Sequence, residues 1–225
     1  MKMKITLPNG EIYEGDWDDG RPHGKGTMTH SDGTTNEGDW ELGHFHGKGK
    51  KTTPDGTTYE GGWVWGLPNG WGTITNIYGK YRGCIKDGDS HGKGTLTETN
   101  GTTYKGKFKG NFYGGKGTLT KLDGETYVGD FFDGEPHGFG TYTSIPHIYP
   151  FIHPTEPKSY TFEGEYKKGL PNGFGTLTYP DEETYEGEFI KGKRKTLETG
   201  LDDFVYGGID YFCEYSHSQC HLLFP

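Results

Sequence analysis

The sequence predicts an all-β fold, an elongated solenoid-like array of antiparallel β-hairpins that forms a twisted ribbon and ends in a C-terminal cap. Three observations predict it. Segments beginning at Tyr13, Asn36, Tyr59, Tyr81, Tyr104, Tyr127, Phe162 and Tyr185 superimpose, at intervals of 23, 23, 22, 23, 23, 35 and 23 residues. A fixed period of this size marks stacked supersecondary units. Each unit holds two runs with the two-residue alternation of a half-buried strand. Between units stand Asn9-Gly10, Asp32-Gly33, Asp55-Gly56, Asn100-Gly101 and Asp123-Gly124, pairs that favour two-residue hairpin turns with positive φ.

The first strand of a unit is seen in Tyr13-Glu14-Gly15-Asp16-Trp17, where aromatic residues and Gly alternate with carboxylates. The second is seen in Gly24-Lys25-Gly26-Thr27-Met28, where glycines and Met share one face and Lys and Thr take the other. Composition fits this arrangement and excludes others. Gly supplies 41 of the 225 residues, more than twice the usual share of about 7 per cent. Only 29% of residues are hydrophobic, and the rings (16 Tyr, 13 Phe and 5 Trp) make up about half of those. Disordered chains are poor in aromatics, so order here comes from rings rather than from an aliphatic core. A glycine inside a strand marks close approach by something large. The expectation is a core of aromatic plates, the rings of Trp17, Trp40 and Trp63, lying on Gly24, Gly26 and their equivalents.

Eight units, the last incomplete, span residues 1–195, and residues 196–225 form the expected cap. The 35-residue interval carries twelve extra residues around 145–157, with Pro146, Pro150, Pro154 and Pro157 breaking any ladder. Ile148, Tyr149, Phe151 and Ile152 in this loop are candidate partner-binding residues, because apolar groups exposed on a loop often mark binding. In the tail, Leu201, Phe204, Val205 and Tyr206 give apolar surface to cover an open sheet edge, which would otherwise invite pairing by another chain. A homodimer through that end is the natural variant. A ribbon of this kind should scatter X-rays as an elongated particle, with a radius of gyration well above the roughly 17 Å of a compact domain of this length. A value near 17 Å would contradict it.

The pattern Y-x-G-x-W-x-x-G-x-x-H-G-x-G, with D-G-x-x-Y-x-G after it, resembles the MORN (membrane occupation and recognition nexus) repeat. Tyr13, Gly15, Trp17, Gly20, His23, Gly24 and Gly26 match it position by position. Asn36 departs from the opening Tyr, Ile85 from the fifth-position aromatic, and Asn111 from a usual Gly. The resemblance implies a twisted hairpin array with a scaffolding or targeting role and does not by itself imply catalysis; no cofactor is expected. It leaves two alternatives to a scaffold or adaptor that binds protein partners and self-associates. One is a module targeting phospholipid at a membrane surface. The other is a targeting subunit of an enzyme such as a lysine methyltransferase, although the residues after Lys195 are too few for such a catalytic domain.

Enzymatic chemistry is not expected. Gly47-Lys48-Gly49-Lys50-Lys51-Thr52 lacks the spacing of a phosphate loop. Neighbouring carboxylates such as Asp18-Asp19 point to opposite faces of a strand, and no G-x-S-x-G elbow occurs. His23, His46, His91 and His137 recur one per unit; units two strands apart are separated by about 10 Å, too far for a shared ion, so these residues are expected to serve a tight turn before the following Gly. Cys213, His217, Cys220 and His221 are candidate metal ligands without the usual pair-loop-pair separation. The net charge of −9 argues against nucleic acid and weakens the lipid alternative, whose basic clusters would be Lys105–Lys109 and Lys191–Lys195. The start of the chain lacks the pattern of a secretory signal, no run is long enough for a membrane-spanning helix, and three cysteines form no disulfide framework. The expected location is therefore cytoplasmic, or peripheral at a membrane.

Overall fold

The computed structural model describes residues 2–145, 159–180, 183–196 and 200–202. Packing divides the chain into two units. Unit 1 contains β1 (Lys2–Thr6), β2 (Ile12–Asp18), β3 (Arg21–Thr29), β4 (Thr35–Glu41), β5 (His44–Thr52), β6 (Thr58–Val64), β7 (Leu67–Asn76), β8 (Gly79–Lys86) and β9 (Asp89–Glu98). Unit 2 contains β10 (Thr103–Lys109), β11 (Phe112–Thr120), β12 (Thr126–Phe132), β13 (Glu135–Thr143), β14 (Thr161–Lys167), β15 (Leu170–Thr178), β16 (Thr184–Ile190), β17 (Lys193–Thr196) and β18 (Gly200–Asp202). From β1 to β9 and from β11 to β18 every strand pairs antiparallel with the next. The all-β repeat of hairpins read from the sequence is the fold.

Two kinds of turn alternate, and their chemistry differs from the expectation. The two-residue turns with positive φ join the strands inside a unit. Asp19-Gly20, Trp65-Gly66 and Asp133-Gly134 are examples, with both residues left-handed between paired ends such as Asp18↔Arg21 and Val64↔Leu67. The Asn-Gly and Asp-Gly sites instead form longer loops in which only Gly has positive φ. In the first, Leu7 N–H donates to Glu11 O at 2.7 Å and Gly10 N–H to Leu7 O at 2.9 Å. The Asp or Asn earns its place through its side chain: Asp55 Oδ1 accepts from Thr57 N–H at 2.9 Å, and Asn100 Oδ1 from Thr102 N–H at 2.8 Å.

Leu42 and Trp65 hold left-handed φ values of 49°, a conformation that disfavours bulky residues by roughly 1–2 kcal/mol and that Asn tolerates. Replacing Trp65 with Asn should therefore raise stability by up to about 1 kcal/mol, read as a higher melting temperature. A fall would show that the packing of its ring outweighs the strain.

The core lies on one face of each hairpin, and it is made differently from the expected stack of Trp on Gly24. The first Tyr of a repeat lies over the two facing glycines of its own hairpin. A Cβ added to Gly26 would meet the Tyr13 ring, and one added to Gly94 would lie 2.6 Å from Tyr81 Cε2. Gly24 faces the Asp16 side chain instead. The fifth-position ring then packs edge-on against the Tyr, as Trp63 does on Tyr59 at 5.0 Å, while Trp40 and Trp63 donate through Nε1 to the carbonyls of Gly26 and Gly49 at 3.1 Å.

The Tyr hydroxyl explains why the opening residue is Tyr. Register shifts between Gly15 and Trp17, and at the same place in later hairpins, leaving a bulge carbonyl outside the ladder. Tyr13 Oη donates to Asp16 O at 2.9 Å, Tyr59 to Gly62 O at 2.8 Å and Tyr81 to Cys84 O at 2.7 Å. A buried carbonyl that would cost free energy unpaired is thereby satisfied. Where Asn36 replaces Tyr, Phe45 moves onto Gly49. Asn36 joins a polar chain, its Nδ2 2.8 Å from His30 Nε2, with His30 Nδ1 2.6 Å from Glu11 Oε1.

Burial pushes the phenols of Tyr13 and Tyr59 up to about 12, and those of Tyr81, Tyr104 and Tyr127 are raised for the same first reason. The folded state keeps protons that an unfolded chain releases near pH 10. This stabilisation is complete below pH 10 and is lost as pH rises through about 12. Ionisation of these five buried phenols should coincide with alkaline unfolding in one cooperative step. Their ionisation near pH 10 with the fold intact would contradict the buried-phenol core.

Candidate functional site

Alternation turns the other face of unit 1 outward. Cross-strand partners on it run Glu37–Lys50–Glu60–Thr73–Arg82 through β4 to β8. This face forms a groove of about 1450 Å³ lined from β1 to β8. Its ionic lining is six lysines and Arg82 against Glu14, Glu37 and Glu60, an excess of four positive charges in a chain whose net charge is −9. Lys4 pairs with Glu14 at 3.4 Å, and Lys25 with Asp39. Lys48, Lys50, Lys80 and Arg82 are exposed and make no ion pair among the described residues.

The third repeat breaks the pattern within this groove. The first two repeats place Asp16 and Asp39 opposite the bulge, where their Oδ2 atoms accept from Lys25 N–H at 3.3 Å and Lys48 N–H at 2.9 Å. The third has Gly62 there, where any Cβ would run into the Asn69 carbonyl. Where Lys25, Lys48 and Lys93 stand between two glycines in their repeats, the third has Trp71. Trp71 is 52% exposed, and among the described residues no ring packs on it. The result is an indole platform beside bare backbone, with Lys48 and Lys50 on one side and Lys80 and Arg82 on the other.

Unit 2 fills the same positions with Phe139 and Phe174, both exposed. Their cross-strand partners are Glu165 and Glu188, so each of these rings faces a carboxylate across the ladder. A separate exposed cluster lies at the hairpin turns of unit 1, where the Trp65 ring meets the rings of His44 and His46 at 5.4 and 5.0 Å.

His23, His46, His91 and His137 lie within strands rather than in a turn, although His46 Nδ1 accepts from Trp65 N–H, in the tight turn of the next hairpin, at 3.5 Å. Each precedes a positive-φ glycine in the bulge between paired positions such as Trp17↔Pro22 and Gly15↔Gly26. Two extra residues on the second strand require that bulge, and Gly24 accommodates the reversal of φ. Among the described residues no three His, Cys, Asp or Glu side chains gather as a metal site. The candidate ligands Cys213, His217, Cys220 and His221 lie outside the described residues, as do Ile148, Tyr149, Phe151 and Ile152 of the loop. The groove was missed by sequence reasoning, although its signal was present: Trp71 interrupts a run of Gly-Lys-Gly.

The architecture defines a repeat protein whose two-stranded units bury rings on facing glycines and expose the opposite face. The family model for the MORN repeat matches residues 13–35, 37–58, 59–75, 81–103, 104–126, 127–145, 162–184 and 185–195. These segments cover more than half of the chain, which therefore belongs to the MORN repeat family. The second match begins one residue after Asn36, where the opening Tyr is missing. A comparison with curated proteins finds no match.

Proposed function

We propose that this chain is a non-catalytic interaction scaffold that takes a protein partner in the groove of unit 1. MORN repeats generally act as scaffolds for protein or membrane interaction, and the observation that carries the choice is the groove itself. Four exposed cations, unpaired among the described residues, surround an exposed indole there, whereas the rings on the opposite face are consumed by the core. A lone exposed apolar residue needs no explanation, but one set among convergent polar groups in a concavity is the default binding-site pattern. Flat anionic membrane is the weaker fit, because Glu14, Glu37 and Glu60 interrupt the positive lining.

The test uses the full chain and the variant Lys80→Glu/Arg82→Glu, whose changes lie on the exposed face. Partners captured from cell extract should be lost with the variant while its melting temperature is unchanged. Capture by both proteins alike would refute the groove. Co-sedimentation with phosphatidylserine vesicles that survives 0.15 M salt, roughly the point where exposed charges are screened beyond 8 Å, and without any groove-dependent protein capture, would replace a protein partner by lipid.

A further inference from the structure

We propose that the groove takes an extended acidic peptide with one apolar side chain seated on Trp71; this rests on the groove being the interaction site. The charge pattern selects the class of partner. Along β5 to β8 the groove reads Lys50, Glu60, Thr73 and Arg82 in cross-strand register, so fixed carboxylates separate the cations. A nucleic acid strand carries a negative charge at every nucleotide and would bring phosphates against Glu37 and Glu60. A peptide can place Asp or Glu opposite Lys48, Lys50, Lys80 and Arg82 and neutral residues opposite the carboxylates.

Spacing agrees with an extended chain lying across the strands. The step between neighbouring strands is about 4.8 Å, so β1 to β8 spans about 34 Å, the reach of about ten extended residues. Near its β7 end the groove offers Trp71, 52% exposed. Gly62 stands in place of the Asp that Asp16 and Asp39 supply in the first two repeats, so that flank lacks the side chain that covers it there. A Leu or Phe of the peptide can lie on the indole there while Glu residues on either side reach the two cation pairs. An aromatic anchor with charges around it is the composition that concentrates binding energy at interfaces. The other repeats of unit 1 with Lys at this position present no such platform.

The experiment measures fluorescence anisotropy of labelled peptides of about ten residues with the full chain. One peptide alternates Glu and Ser around a Leu placed near one end, made with the Leu near either terminus because the chain direction is open, a second replaces Leu by Ser, and a third replaces every Glu by Gln. The first should bind with an affinity that falls as salt rises, and the other two should be weaker by at least about tenfold. Trp71→Ser, which removes the indole without adding a charge, should weaken the first peptide to the level of the second. Lys80→Glu/Arg82→Glu should weaken it to the level of the third. Equal binding of the three peptides, or binding indifferent to both variants, would overturn the proposal. So would tighter binding of oligothymidylate of similar length. If cellular partners still depend on Lys80 and Arg82 while peptide composition is immaterial, the peptide class is wrong and the groove stands. If partner capture ignores those residues as well, the groove itself is wrong.

Discussion

Replacing Gly72 or Gly94 with Val is expected to destabilise the protein by about 3 kcal/mol, the upper end of overpacking costs, while Lys93→Val or Thr95→Val changes stability by less than about 0.5 kcal/mol. Gly72 and Gly94 have ordinary strand φ, so the penalty is one of space and not of backbone conformation. A Cβ on Gly72 would enter the ring of Tyr59, and one on Gly94 would come within 2.6 Å of Tyr81 Cε2. Neither ring can retreat, because each hydroxyl donates to a bulge carbonyl in its own hairpin. Urea midpoints separate the two classes: large decreases for the glycines and small changes for exposed Lys93 and half-buried Thr95. Equal midpoints would refute the ring-on-glycine core.

A second large effect is expected at Glu125. Its side chain is only 1% exposed, and Lys121 Nζ lies 2.8 Å from its Oε2. It also lies near two phenols: Tyr142 and Tyr160 are raised by burial first, and the Glu125 carboxylate adds to both shifts. Lys121→Met removes the cation and leaves a buried carboxylate, which typically costs about 3–5 kcal/mol. Lys121 is partly exposed, so the lower end of that range is expected. Adding Glu125→Leu to the Lys121→Met protein should recover most of the loss, because replacing both partners by apolar groups is often near neutral. A single Lys121→Met variant as stable as the parent would show that water reaches Glu125 and that the pair is not a buried one.

The fold was largely legible because the repeat states its own geometry eight times. Tyr13-x-Gly15-x-Trp17 and Gly24-x-Gly26 give strand period, length and spacing at once, and the ring-to-glycine partnership follows from residue size. The pairing of particular rings with particular glycines was not legible. It depends on the bulge at Asp16, which shifts the second strand and brings Tyr13 rather than Trp17 over Gly26. Bulges of this kind turn on two unpaired residues, and His23-Gly24 resembles a turn as much as a bulge when read along the chain. The Asp-Gly sites misled for a related reason: the side chain of Asp32 caps Thr34 N–H at 2.8 Å, so Asp marks a longer loop here as readily as a tight turn.

The candidate site was less legible than the fold. Lys48 and Lys50 come from β5, Trp71 from β7, and Lys80 and Arg82 from β8; only the register puts them on one face. The residues that appeared most eligible, Ile148, Tyr149, Phe151 and Ile152, lie in the segment that interrupts the repeats. The structural departure that distinguishes the groove is a quieter one, Gly62 with Trp71 in place of Asp with Lys.

Site-specific photo-crosslinking of the bound partner decides between the open face and any other surface. A benzophenone amino acid is placed at Thr73 in the groove, and in separate proteins at Ile77 and Leu122, which are 72% and 77% exposed on turns. Adducts formed from Thr73 and not from Ile77 or Leu122, and suppressed by Lys80→Glu/Arg82→Glu, are the predicted result. Adducts from Ile77 or Leu122 with none from Thr73 would contradict the assignment of the groove as the interaction site.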